Sequence, residues 1–303
     1  MKTIWLAACL SACLVFVPSW LKAEETAEGG KATADKSESL PMSGFVASIT
    51  SREELRKKGR EYRDMFRGEM ADGGSPAPDF DPIELELDYG FIRSRDLLSK
   101  TDKAIVALTA VAVSQNLTVV PQVVEGALNS GLEPRAILEV FVQISIYTGF
   151  VKAEPLAALA REVFEERGVS VDETTLPFED YDLVTQKHAE VYGSLHGNLA
   201  SAPETAFVSR LYPPIGLYTY GVVLRRPGLN VRERMIVVIA CLTVQGGMEV
   251  LLPGAFKTSM SAGLSIDEIA EVAIQTVPFT GSWPAGKLLI EMEKAFPGGK
   301  LPE

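Results

Sequence analysis

Three pairs of residues are the best placed in this sequence to do chemistry. His188 and His196 are its only histidines, and with Tyr192 they stand at i, i+4 and i+8. On a helix that spacing makes one stripe, drifting by about 40° per step. Imidazole titrates near neutral pH, so the stripe suits a general base or part of a metal site, although no third ligand is apparent. An outer amphipathic helix would carry the same pattern. Arg95 and Arg226 recur at matching places. A guanidinium fork suits an organic carboxylate, and equally an ion pair to a helix end or to Glu84, Glu86 and Asp88. Glu139 and Glu271 each precede an apolar stretch, where a carboxyl of raised pKa can transfer a proton, or where it can cap or salt-bridge. Tyr220 precedes Gly221 and either lines a pocket or packs. Gln143 and Gln275 sit inside apolar helices and each needs a hydrogen-bond partner, a glutamine or a backbone group at an interface.

These pairs recur because the chain repeats itself. Gly90, Arg95, Leu98 and Ile105 match Gly221, Arg226, Leu229 and Ile236 at an offset of 131. Gly131, Glu139, Gln143, Thr148 and Gly149 match Gly263, Glu271, Gln275, Thr280 and Gly281 at 132. A tandem repeat of about 115 residues sets the architecture before any motif does. It divides the chain into a first domain over 51–167 and a second over 180–297.

Helical periodicity fills both units. In the first, helices are expected over 51–66, 81–90, 101–115, 121–130, 134–148 and 154–167. Their boundaries follow a capping box at Ser51, Pro82 and Pro134 at first turns, and the Gly131 stop. In the second they are expected over 180–193, 202–220, 231–244, 255–262, 265–277 and 283–296. No strand alternation intervenes, so the fold class is all-α.

Residues 1–23 read as a secretory signal, with Lys2, an apolar run broken by Pro18, and Ala23 before Glu24. Leu10-Ser11-Ala12-Cys13 also resembles a lipoprotein processing site. The expected location is secreted or periplasmic, with cleavage near Ala23. Residues 24–50 are poor in apolar side chains and read as a disordered leader. Cleavage removes Lys2 and Lys22 and takes the net charge from −11 to −13. So acidic a chain argues against nucleic acid as a partner. Cys9 and Cys13 belong to the signal, which leaves Cys241 in the apolar run 235–244 as a buried thiol with no internal disulfide partner.

The ordered set Lys58-Gly59, Arg63, Gly68, Gly90, Arg95, Leu98, residues 126–131 from Gly126 to Gly131, Glu139-Val140, Gln143 and Tyr147-Thr148-Gly149 resembles the carboxymuconolactone decarboxylase family and its AhpD-like alkylhydroperoxidase relatives. The second unit keeps residues 226–229 from Arg226 to Leu229, Gly263, Glu271-Val272, Gln275 and Thr280-Gly281. The resemblance covers most of 51–297. It implies two all-helical domains that oligomerise, with a homotrimer of tandem chains reproducing a ring of six units, or a pseudo-dimer of the two halves. It also implies a small organic acid or lactone as substrate.

The family's catalytic histidine falls at Val123 and Ala255, and its Cys-x-x-Cys at Asn116 and Val119 or Met248 and Leu251. None of these can transfer a proton or attack peroxide as a thiolate, so thiol peroxidase chemistry is excluded. The family aromatic after the Gly90 position is Arg93 and Leu224 here. The expectation is a lyase or isomerase with a non-standard acid or base drawn from His188, His196, Glu139 and Glu271. Arg95, Arg226 and Tyr220 would bind substrate, and neither metal nor cofactor is expected. The alternative is a catalytically silent binding or assembly protein that retains the fold.

Overall fold

Capping chemistry sets the main helix starts. Ser99 accepts from the Asp102 amide while the Asp102 carboxylate accepts from the Ser99 amide, and Asn230 and Glu233 do the same 131 residues later. These boxes open α3 (Lys100–Ser114) and α9 (Val231–Gln245), which are buried on nearly every face. The structure, a computed structural model, describes residues 51–67, 78–171, 181–196, 212–247 and 249–299. The expected signal and leader lie outside them. The fold is all-α.

The first repeat comprises α1 (Arg52–Arg67), a short α2 (Asp81–Ile83) continuing as a π-helix (Glu84–Arg93), then α3, α4 (Val120–Asn129), α5 (Pro134–Thr148) and α6 (Phe150–Glu166). The second comprises α7 (Tyr181–His196), α8 (Tyr212–Gly221), α9, α10 (Leu252–Ser261), α11 (Ile266–Gln275), α12 (Val277–Thr280) and α13 (Ser282–Ala295). Equivalent packing recurs in each half: α1 on the π-helix as α7 on α8, α3 on α4 as α9 on α10, and α5 on α6 as α11 on α13. The halves meet where α3 packs on α9. Buried Ile105, Leu108, Ile137 and Ile144 and buried Ile236, Ile239, Ile269 and Val272 belong to one continuous core. Residues 49–303 thus group as one compact unit spanning both repeats. Among the described residues no helix is long and apolar enough to cross a membrane.

Several boundaries differ from the sequence expectation for physical reasons. The helix expected from 154 begins at Phe150, because Pro155 leaves only the Val151 carbonyl without its donor and Val151 is exposed. Pro278 removes the donor that would reach the Ile274 carbonyl, so the helix expected over 265–277 breaks at Thr276 into α11 and α12. Ile146 stands at the equivalent place in α5, which runs unbroken. The helix expected over 202–220 is described from Tyr212 onward. The segment expected as an α-helix over 81–90 becomes a ten-residue π-helix. Its backbone touches α1: a Cβ on Gly59 would fall 2.1 Å from the Leu85 carbonyl oxygen, and one on Gly90 2.4 Å from that of Leu55. Only glycine fits either place.

Candidate functional site

The paired arginines and glutamates find each other across the repeats. Arg95 Nε donates to both Glu271 carboxylate oxygens at 2.9 and 2.7 Å, and Arg226 Nε to both of Glu139 at 2.9 and 3.1 Å. Both carboxylates are fully buried. The glutamines complete the pattern by donating to backbone carbonyls of the opposite repeat, Gln143 to Arg234 at 2.8 Å and Gln275 to Ile92 at 2.6 Å. The Glu139 side is the more elaborate. Arg135 reaches it at 2.7 Å and buried Arg234 at 3.3 Å, while Arg234 also donates to the Arg226 carbonyl at 2.6 Å. The expected site residues Arg95, Arg226, Glu139 and Glu271 are therefore brought together as two structural pairs. None of the four lines either of the cavities described below.

His188 and His196 lie on α7, and their side chains are outside the described residues. Tyr220 is half-buried and packs edge-on against Tyr192 at 5.1 Å between ring centres. Burial pushes its hydroxyl pKa up to about 12. Cys241 is buried and its thiol is likewise pushed up to about 12 by burial. Among the described residues no group of three or more potential metal ligands occurs.

A cavity of about 170 Å³ opens in the first repeat instead, and Val123 lines it. Four charged side chains line it in two ion pairs: Arg93 Nε with Asp88 at 2.6 Å, and Arg67 with Glu84 at 2.9 Å. The π-helix supplies Glu84, Asp88, Tyr89 and Arg93, and the C-terminal turn of α1 supplies Phe66 and Arg67. The second repeat closes it with Pro278 and Phe279 of α12.

Aromatic rings enclose the cations. The Arg93 guanidinium lies 4.9, 5.1 and 4.7 Å from the ring centres of Phe66, Tyr89 and Phe279, and that of Arg67 5.3 Å from Tyr89. Such contacts stabilise a desolvated cation. Burial works against the Arg93 charge, yet Asp88 and the neighbouring phenols more than offset it and its pKa is raised. The Tyr89 side chain is wholly buried, and its hydroxyl has no hydrogen-bond partner among the described residues. Burial raises its pKa to about 12, with Arg93 and Arg67 pulling in the opposite direction. At neutral pH it is an O–H donor with no acceptor among the described residues.

Sequence reading passed over this cluster. Asp88 and Arg93 are five residues apart, which places them about 140° apart on an α-helix. Only i to i+5 winding brings them to one side. The visible signal is Arg93 standing where the family that the sequence resembles carries an aromatic residue. The equivalent positions in the second repeat are Thr219 for Asp88, Leu224 for Arg93, Ala255 for Val123 and Tyr147 for Phe279, so the Asp88–Arg93 pair has no counterpart there.

A second cavity, about 320 Å³, lies between the end of α9, the start of α10 and α13, and is walled mainly by apolar side chains such as Leu252, Trp283, Leu288 and Ile290. Neither a family model nor a curated protein matches the chain.

Proposed function

We propose that this chain is an exported carboxymuconolactone decarboxylase-like protein that acts as a lyase or isomerase on a small organic acid or lactone held in the first-repeat cavity. The observation that carries this reading is the orphan Tyr89 hydroxyl beside a cavity at the place where the family keeps its histidine. A bond next to a carbonyl breaks most easily when the carbonyl oxygen takes a proton as the electron pair moves onto it. Tyr89 is that donor. In decarboxylation the bond broken is to the departing carboxylate carbon. In isomerisation it is a C–H bond whose proton passes to Asp88 and is returned at the neighbouring carbon, as the enol gives its O–H proton back to the Tyr89 oxygen; in decarboxylation the carbon takes its proton from solvent. The Arg93 and Arg67 cations stabilise the tyrosinate until its proton returns.

A direct test is turnover of a panel of small lactones and keto acids. Tyr89→Phe should lower kcat by at least about a hundredfold, the scale of acid–base assistance, with the fold unchanged. Turnover indifferent to Tyr89→Phe removes the proposal.

A catalytically silent binding or assembly role is the second reading. It is favoured by the loss of the Asp88–Arg93 pair from the second repeat and by the structural use of Arg95, Arg226, Glu139 and Glu271. Saturable binding without turnover would support it. In either reading the family resemblance includes a homo-oligomer, for which a trimer of tandem chains is the expected form.

A further inference from the structure

The charges lining the first-repeat cavity cancel. Two arginines face one aspartate and one glutamate, each cation is already paired at 2.6 or 2.9 Å, and among the described residues no other charged side chain lines the space. A carboxylate entering here would break an existing pair or lie against Asp88 and Glu84, and a desolvated charge left unpaired is costly. The unmet demand is of another kind. Tyr89, a fully buried lining residue, holds an O–H with no acceptor among the described residues, and its ring is flanked by the Arg67 and Arg93 guanidiniums at 5.3 and 5.1 Å. Phe66, Val123 and Phe279 supply flat or apolar walls, and Ser114, Asn116 and Gln122 uncharged polar ones.

We infer that the cavity selects a small, flat, uncharged carbonyl compound, whose oxygen accepts from the Tyr89 hydroxyl, over the carboxylate of the same shape. The inference rests on the functional reading above and narrows it to the lactone or ketone side of the substrate class. It makes proton shift on a neutral carbonyl compound the matching reaction, since decarboxylation requires an ionised acid.

Acetophenone and benzoate test this as near-isosteres, one a neutral acceptor and the other an anion. Titration calorimetry of the full chain with each, repeated with Tyr89→Phe and Tyr220→Phe, reads the preference. The expected result is at least tenfold tighter binding of acetophenone, with that preference lost in Tyr89→Phe and kept in Tyr220→Phe. Tighter binding of benzoate overturns the inference while leaving an organic-acid site at this cavity. Binding of neither compound overturns the inference and counts against the functional reading as well. Equal loss of acetophenone in both variants, with thermal midpoints unchanged, places the ligand elsewhere and also overturns it.

Discussion

Glu139→Gln and Glu271→Gln alter equivalent residues, yet the two halves of the structure assign them different costs. Glu139 is fully buried and takes hydrogen bonds from Arg135, Arg226 and Arg234 at 2.7, 2.9 and 3.3 Å. Arg234 is itself only 1% exposed. Burial pushes the Arg234 pKa down, and Glu139 is the largest influence holding it up. Neutralising Glu139 leaves that guanidinium in the core without its counter-charge, a loss of about 3–5 kcal/mol. Among the described residues Glu271 pairs with one arginine, Arg95, and 17% of the Arg95 side chain remains exposed. Water can partly solvate Arg95 after Glu271→Gln, so the cost is about 1.5–3 kcal/mol, that of a hydrogen bond to a charged group. At this size each kcal/mol moves the thermal midpoint by about 2–4 °C. Calorimetry should therefore show Glu139→Gln melting roughly 5 °C below Glu271→Gln. Equal losses, or the reverse order, would refute the assignment of the Arg234 charge to Glu139.

Four further outcomes follow from the same contacts. Tyr89→Phe should leave the ligand-free midpoint unchanged or slightly higher in a melting scan, since it removes a buried hydroxyl that has no partner. Gly59→Ala should destabilise by about 3 kcal/mol or more in denaturant titration, because its Cβ meets the Leu85 backbone rather than a movable side chain. Cys241 should resist alkylation in the native full chain at mildly alkaline pH and react once unfolded, as mass mapping of its peptide would show. Stability should also fall as the solution becomes alkaline. Tyr62, Tyr89 and Tyr220 rise from 10.0 to about 12 on folding and Cys241 from 9.0 to about 12. The folded chain therefore holds protons that the unfolded chain has released. The stability is fully present below about pH 9 and is lost as pH climbs toward 12. Loss of helical circular dichroism followed from pH 8 to about pH 12 checks it.

The repeat, the helices and their caps were legible because each rests on local signals. The Ser51 cap, whose hydroxyl accepts from the Glu54 amide, and the Gly131 stop, at φ +87°, depend on neighbours a few residues away. The recurrence of Arg95, Glu139, Gln143 and their counterparts was equally visible, but not that each residue's partner belongs to the other repeat. Those separations are 87 to 183 residues, and they close through packing between the halves, of α3 and α5 on α9 and of α11 on α3 and the π-helix. The cavity was less legible still. It depends on a π-helix that redirects Asp88 and Arg93, and on Phe279, which reaches it because Pro278 breaks the helix before it. Helical periodicity read at the α spacing points Arg93 away from Asp88.

The most direct test of the first-repeat cavity as the working site is a thermal-shift screen of the full chain against small lactones and carboxylates, run in parallel on Tyr89→Phe and Tyr220→Phe. A ligand that binds only the folded chain raises the midpoint. The expected result is a set of compounds whose shift is lost in Tyr89→Phe and retained in Tyr220→Phe. Shifts that survive Tyr89→Phe and vanish in Tyr220→Phe would contradict the account and place the site in the second repeat.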